Sequence, residues 1–137
     1  MGLFSGMSEK MKAKAEETKA KEIQRRKEYF QQFLLEGEVI ESLYPVGADS
    51  LAMTEWRLLF VEEFNTDKSR VLITLPYSQI VEVKMVLGEM YSFSNKVYVA
   101  TRSETHEFAF PKFIKEEEVK EFYLKLMQKI RQMGNTN

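Results

Sequence analysis

The sequence predicts a mostly β, α+β protein in which seven short antiparallel strands form a barrel or a sandwich between two helices. Three observations support this fold class. Residues before Gly37 contain no proline and are rich in helix formers, and short runs of alternating apolar and polar residues follow Gly37. After Glu116, apolar residues recur at steps of three and four. With 137 residues, 44% of them hydrophobic, the chain can bury one core but not two.

The first element is predicted as a helix over residues 8–36. Ser8 is placed to cap it, and Gly37 is placed to end it. Residues 8–22 contain almost nothing that could fill a core, whereas the second half has an apolar end. That end consists of Ile23, Phe30, Phe33, Leu34 and Leu35. We therefore expect the second half to pack on something and the first half to extend into solvent.

Seven strands are predicted from the period of two. They span residues 39–44, 51–54, 58–61, 71–75, 81–87, 97–101 and 105–110. Residues 58–61 are apolar on both faces, which predicts a central strand. A turn over residues 45–49 separates the first two strands.

The last element is predicted as a helix with one apolar stripe, made of Val119, Phe122, Leu126, Ile130 and Met133. Glutamates begin it, basic residues end it, and Gly134 is placed as its C-cap. We expect this helix to lie on the sheet. The predicted core comprises Val39, Phe60, Ile73, Val81, Val83, Val97 and Phe108, closed by Phe122, Leu126 and Ile130.

Two stretches carry a resemblance to a known family. Residues 51–61 hold a strand, a turn of the form Thr-x-x-Arg at Thr54 to Arg57, and an apolar strand. Residues 75–83 hold a turn led by Pro76 and then an alternating strand. From Gly37 to about Met133 the chain resembles bacterial pleckstrin-homology-like (PH-like) domains, which are also similar to GRAM domains.

The resemblance implies a seven-stranded antiparallel PH-like barrel capped by the C-terminal helix. It places the PH-like domain at residues 37–134 and leaves residues 1–36 as an N-terminal helical extension. It implies no particular activity or ligand, because this fold hosts many kinds of binding.

The residues offer little for catalysis. Cysteine is absent, and His106, which is the single histidine, falls in phase with Phe108 and Phe110 as a partly buried strand residue would. No nucleophile motif and no glycine-rich phosphate loop is present. We therefore expect a protein that is not an enzyme and that holds no cofactor and no metal.

Charge limits the partners. The net charge is −1, and Glu22 and Glu28 dilute the basic run at residues 25–27, so we expect no binding of nucleic acid. Related domains that bind phosphoinositides use Lys and Arg around the first hairpin. Here the hairpin loop, residues 45–50, has no basic residue and contains Asp49, so we expect no phosphoinositide recognition there.

Trp56 and Arg57 are candidate interaction residues. Arg57 could bind an anionic partner, or it could pair with a neighbouring carboxylate such as Glu55 or Glu62. Trp56 is either folded onto the barrel or exposed as an interface anchor.

The N-terminus supplies the remaining candidates. Leu3, Phe4, Met7 and Met11 fall on one helical side with lysines nearby, and Phe30 and Phe33 lie in the apolar end. This first segment could dock on a protein, associate with another copy, lie in a membrane interface or remain disordered.

The first hypothesis is thus a cytoplasmic, non-enzymatic interaction or scaffolding module that uses the N-terminal helix for docking or self-association. The alternative is a peripheral membrane protein that uses the N-terminal amphipathic segment.

Overall fold

The structure is a computed structural model that describes residues 2–46, 49–62, 70–88 and 95–134, with side chains from Glu9 onward. In chain order the elements are α1 (Gly2–Gln31), β1 (Ile40–Val46), β2 (Asp49–Thr54), β3 (Arg57–Glu62), β4 (Val71–Pro76), a 3₁₀ turn (Tyr77–Gln79), β5 (Glu82–Val86), β6 (Lys96–Ala100), β7 (Thr105–Ala109) and α2 (Glu116–Gly134). They form two compact units, Met1–Gly37 and Glu38–Asn137.

Helix α1 differs from its predicted bounds at both ends. It begins at Gly2, so Ser8 lies inside the helix rather than at its N-cap. It ends at Gln31, five residues before the predicted end. The amide of Phe33 donates to the carbonyl of Phe30 at 2.9 Å, a three-residue bond that tightens the last turn. Residues 32–36 contain neither glycine nor proline, so the local sequence carries no stop signal.

Side-chain pairs at helical spacing support the described part of α1. The Glu22 carboxylate accepts hydrogen bonds from Arg25 and Arg26, each at 2.7 Å. Mainly because of the bond from Arg25, the pKa of Glu22 falls to about 2. At the apolar end Phe30 is fully buried, whereas Leu35 is 61% exposed and does not contribute to a core.

The seven strands are present, but the closed seven-stranded barrel is wrong. They form two antiparallel sheets in the orders β1-β2-β3-β4 and β5-β6-β7. The chain leaves the first sheet after Pro76, the last residue of β4, through the 3₁₀ turn. Strand β3 lies between β2 and β4 and is buried from Arg57 to Val61, which confirms the predicted central strand.

The core of the second unit contains most of the predicted residues. Buried members of the predicted set are Phe60, Val97, Phe108, Phe122 and Leu126, and Ile73, Val83 and Ile130 pack against them while partly exposed. Val39 and Val81 were wrongly assigned to the core, since each is 61% exposed. Both precede the first residue of a strand, and Ile40, which begins β1, is buried instead.

Helix α2 begins with a hydrophobic staple. Ile114 lies before the N-terminal turn and is buried, as is Val119, one turn into the helix. The carbonyl of Lys115 accepts the amides of Glu118 and Val119 at 3.0 and 3.2 Å. Gly134, predicted as the C-cap, is the last residue of the helix itself.

Candidate functional site

The Thr-x-x-Arg turn joins β2 to β3, and the hydroxyl of Thr54 holds it closed. The Thr54 Oγ1 accepts hydrogen bonds from the backbone amides of Arg57 at 3.2 Å and Trp56 at 3.4 Å. The same hydroxyl group donates a hydrogen bond to the Arg57 carbonyl, with 3.2 Å between the two oxygens. A hydroxyl on a short side chain reaches backbone groups two and three residues ahead, which is why threonine suits this position.

Arg57 pairs with Glu38 rather than with Glu55 or Glu62, the two carboxylates that its sequence neighbourhood suggested. Its Nε and Nη2 lie 2.8 and 2.7 Å from the two carboxylate oxygens of Glu38. The two side chains are only 10% and 2% exposed. This is a buried, forked ion pair, the geometry in which arginine recognises a carboxylate best. Glu55 instead accepts the amide of Val39 at 3.2 Å.

Trp56 and Tyr77 complete the arrangement. The guanidinium carbon of Arg57 lies 4.7 Å from the centroid of the Trp56 ring, and the indole is partly buried. The Tyr77 hydroxyl donates to the Thr54 carbonyl at 2.7 Å, and the Tyr77 amide donates to the Trp56 carbonyl at 3.1 Å. Burial raises the pKa of the Tyr77 hydroxyl, and nearby carboxylates raise it further.

We call Glu38, Thr54, Trp56, Arg57 and Tyr77 the Arg57 cluster. It ties the chain before β1 to the β2–β3 turn and to the 3₁₀ turn after β4. Because Glu38 already occupies the guanidinium fork, the cluster is arranged to hold the fold together rather than to receive an external anion.

Replacing Thr54 by valine is expected to destabilise the protein by about 1–3 kcal/mol, because the change strands buried backbone groups without altering side-chain shape much. Ser50 offers a matched control. Its buried Oγ has no hydrogen-bond partner among the described residues, so Ser50→Ala should cost nothing or stabilise slightly. Urea unfolding followed by circular dichroism measures both, and equal losses for the two variants would contradict the role given to the Thr54 hydroxyl.

The other candidate interaction residues lie on or just after α1. Met11 is 66% exposed. Phe30 is fully buried and Phe33 is partly buried. The side chains of Leu3, Phe4 and Met7 lie outside the described part of the chain. Met11 and Phe30 are separated by about 28 Å along the helix at 1.5 Å per residue, so these candidates do not form one site.

Sequence reasoning missed two features, one in the Arg57 cluster and one on α2. Glu38 directly follows Gly37, and nothing local marks its side chain as buried. On α2, Leu124 and Met127 lie beside the predicted stripe and remain 64% and 37% exposed. With Ile130 they border an open concavity of about 740 Å³. Their three-residue spacing was the available signal.

The described residues offer few groups suited to catalysis or metal binding. His106 lies in β7, partly buried as predicted, with its Nε2 3.5 Å from a Glu104 carboxylate oxygen. Across residues 2–46, 49–62, 70–88 and 95–134, no three potential metal ligands lie together. Within the same ranges no helix has the length and apolarity needed to cross a bilayer.

Comparison with known proteins agrees with the fold. A sequence model of the bacterial PH domain family matches residues 6–130, and so begins within α1 rather than at Gly37. The chain is 33% identical over 79 residues to the "Uncharacterized protein YozO" of Bacillus subtilis (strain 168), covering 58% of this chain and 69% of that protein.

A solved structure extends the likeness to three dimensions. It is the crystal structure of a DUF1696 family protein with a pleckstrin-homology domain from Shewanella loihica PV-4. It is 12% identical, covers 80% of this chain and 91% of the other, and superposes with a TM-score of 0.58. The family match supports a non-catalytic module in general terms. The chain belongs to the bacterial PH domain family.

Proposed function

We propose that the protein is a non-enzymatic interaction module in which the first half of α1 docks on an acidic surface of a protein partner. The observation that carries this proposal is the exposure of every side chain from Glu9 to Lys21, thirteen consecutive helical residues. In most proteins helical stability comes from packing rather than from intrinsic propensity. A helical segment of this length with no buried side is therefore expected to pack against a partner.

One side of this segment suits contact with another helix. Met11, Ala15 and Thr18 follow one another at steps of four and three, which places them on the same side of α1. We call them the Met11 stripe. The stripe is narrow, and its two smaller residues allow a partner backbone to approach closely.

Charge indicates what kind of partner fits. By helical geometry Lys12 and Lys19 flank the Met11 stripe on one side, and Lys14 and Lys21 flank it on the other. Glu9 and Glu16 lie on the opposite face. Lys21 pairs with Glu17 at 3.3 Å, which offsets part of the positive charge on its side. The lysines that flank the narrow strip still complement an acidic surface. Two copies of α1 paired through the same stripe would bring lysines together, so this pairing is disfavoured.

A protein suits the stripe better than a lipid surface. Helices that lie in a membrane interface present a broad apolar face, with residues such as Trp, Phe and Leu. The Met11 stripe holds one exposed methionine, one alanine and one threonine, whereas Leu3, Phe4 and Met7 precede it on the same helical side. Anionic vesicles are therefore the alternative that an experiment must test.

A photo-crosslinking residue at position 15 of the full-length protein tests the proposal in the cell that makes it. Ala13 provides the matched control, because it is also an exposed alanine on α1 but lies on the opposite side. We expect a crosslinked protein adduct from position 15, none from position 13, and loss of the adduct in a Lys12→Glu/Lys19→Glu variant.

Three results would contradict the proposal. Equal adducts from positions 13 and 15 would mean that the stripe has no special role. An adduct of twice the chain mass would mean self-association. Lysine-dependent co-sedimentation with anionic vesicles, without any adduct, would indicate a membrane-binding helix.

A further inference from the structure

The two sheets differ in how their edges are protected. An edge strand exposes unpaired backbone groups, and proteins usually blunt such an edge with charge, proline, a bulge or a covering element. Strand β1 is bulged between Ile40 and Ser42, and Lys125 of α2 donates to the Ser42 hydroxyl at 3.0 Å. Strand β5 carries Glu82 and Lys84. Strand β7 carries Glu107, which pairs with Lys96 at 2.9 Å. Three of the four described sheet edges, those of β1, β5 and β7, are therefore protected by a bulge or by charged residues.

Within the part of the chain that the structure describes, strand β4 lacks such protection along most of its length. Residues 71–75 are Val-Leu-Ile-Thr-Leu, with no charge, and Val71 is 50% exposed. The register with β3 runs without a bulge from Val71 to Pro76. Arg70 precedes the strand and Pro76 is its last residue, so a charge and a proline protect only the two ends of β4. Among the described strands, β4 pairs with β3 alone.

One hydrogen bond tells which backbone groups of β4 point outward. The Tyr77 amide donates to the Trp56 carbonyl, which makes Arg57 and Pro76 a non-hydrogen-bonded pair. The pattern alternates along an antiparallel ladder, so the same holds for the pairs of Thr74 and Leu72. The amide and carbonyl groups of these two residues are therefore directed away from β3.

An open groove of about 520 Å³ lies against this strand. Ile73, Thr74 and Leu75 line one wall, and the turn between β6 and β7 lines the other. The amide of Thr101 closes that turn by donating to the Glu104 carbonyl at 2.8 Å. The β6–β7 turn carries Arg102 and Glu104, one positive and one negative residue, so the groove does not favour a ligand of either charge.

We infer that the β4 edge binds an extended peptide segment of a partner protein, which adds to the first sheet as a fifth strand. The backbone of the peptide would bond to Leu72 and Thr74, and its alternate apolar side chains would enter the groove. A single extended segment fits into this groove, because β4 forms one wall and the β6–β7 turn forms the other. A folded second copy paired through its own β4 would have to bring a whole sheet into the same space. This inference does not depend on the role proposed for α1.

The probe is a blocked octapeptide of alternating valine and threonine with a lysine at each end, added to the full-length ¹⁵N-labelled protein. We expect saturable amide shifts along β4 and slowing of exchange at the Leu72 and Thr74 amides by about tenfold or more. The matched control is the same peptide N-methylated at alternate residues, in two versions that block one edge each. The version that blocks the paired edge should not bind.

A variant pair tests the protein side. Thr74→Pro removes an outward donor that the β3 ladder does not use, whereas Thr74→Val keeps it. Binding should be lost in the first variant and retained in the second, with the amide spectrum reporting that each is folded. Equal binding by all peptide versions, shifts centred away from β4, or no binding at millimolar peptide would overturn the inference. A concentration-dependent doubling of mass would instead assign the edge to a second copy. If Thr74→Pro does not fold, the N-methylated peptides alone decide the matter.

Discussion

Replacing Arg57 by alanine is expected to destabilise the protein by about 3–5 kcal/mol, the range for breaking a buried ion pair from one side. The reason is the carboxylate that remains. Glu38 is only 2% exposed, so without the guanidinium it must stay charged in a poorly solvated place or take up a proton. Because small domains have about 5–15 kcal/mol of stability in total, the loss is large enough to leave part of the protein unfolded at room temperature.

Two further variants separate charge from geometry. Arg57→Lys keeps the charge but cannot form the fork with both Glu38 oxygens, so it should recover only part of the loss. The double variant Glu38→Leu/Arg57→Met removes both partners and should be close to wild type, because apolar replacements of buried pairs are often neutral or stabilising. Urea unfolding measures all four proteins. A loss of about 1 kcal/mol or less in Arg57→Ala, as for an exposed ion pair, would contradict the buried pairing.

The second large effect is expected in α2. Leu126→Ala should cost about 2–5 kcal/mol, because Leu126 is fully buried in the core between the sheets and the helix. Leu124→Ala is the matched control. It makes the same chemical change two residues away, where the side chain is 64% exposed, and should alter stability by about 0.5 kcal/mol at most.

Phe122→Ala extends the same test. Its ring lies 5.3 Å from that of Tyr44 and 5.6 Å from that of Phe110, so removing it should cost about 3–5 kcal/mol. Thermal melting of the three variants checks the prediction. If Leu126→Ala and Leu124→Ala melted together, α2 would not be closing the core.

The elements with a clear period could be predicted from the sequence. The stripe of α2 was correct at Val119, Phe122 and Leu126, since a helix on a sheet must present one apolar side. The apolar run in β3 correctly predicted a central strand, because a strand buried on both faces cannot afford alternating polar residues. Errors occurred at strand starts, where Val39 and Val81 stand one residue before β1 and β5 and are each 61% exposed.

The candidate site was only half visible. The Thr-x-x-Arg turn marked Thr54, Trp56 and Arg57, because a two-residue turn is made by local contacts. The partner of Arg57 lies 19 residues earlier in the chain, and neighbours in sequence offered two nearer carboxylates. Which of three glutamates meets a guanidinium depends on where the chain before β1 passes, and no local pattern specifies that path.

The sequence by itself determined the order and type of the elements, the apolar side of α2 and the turn between β2 and β3, because each depends on contacts within one turn or one strand period. Only the tertiary structure decided that the strands form two open sheets, that Glu38 is the carboxylate buried with Arg57, and that β4 has an edge without charge. These features arise from long-range pairing. The 3₁₀ turn that follows Pro76, the last residue of β4, directs the chain away from the first sheet. After that change of path Tyr77 lies at the Arg57 cluster and the β6–β7 turn lies beside β4.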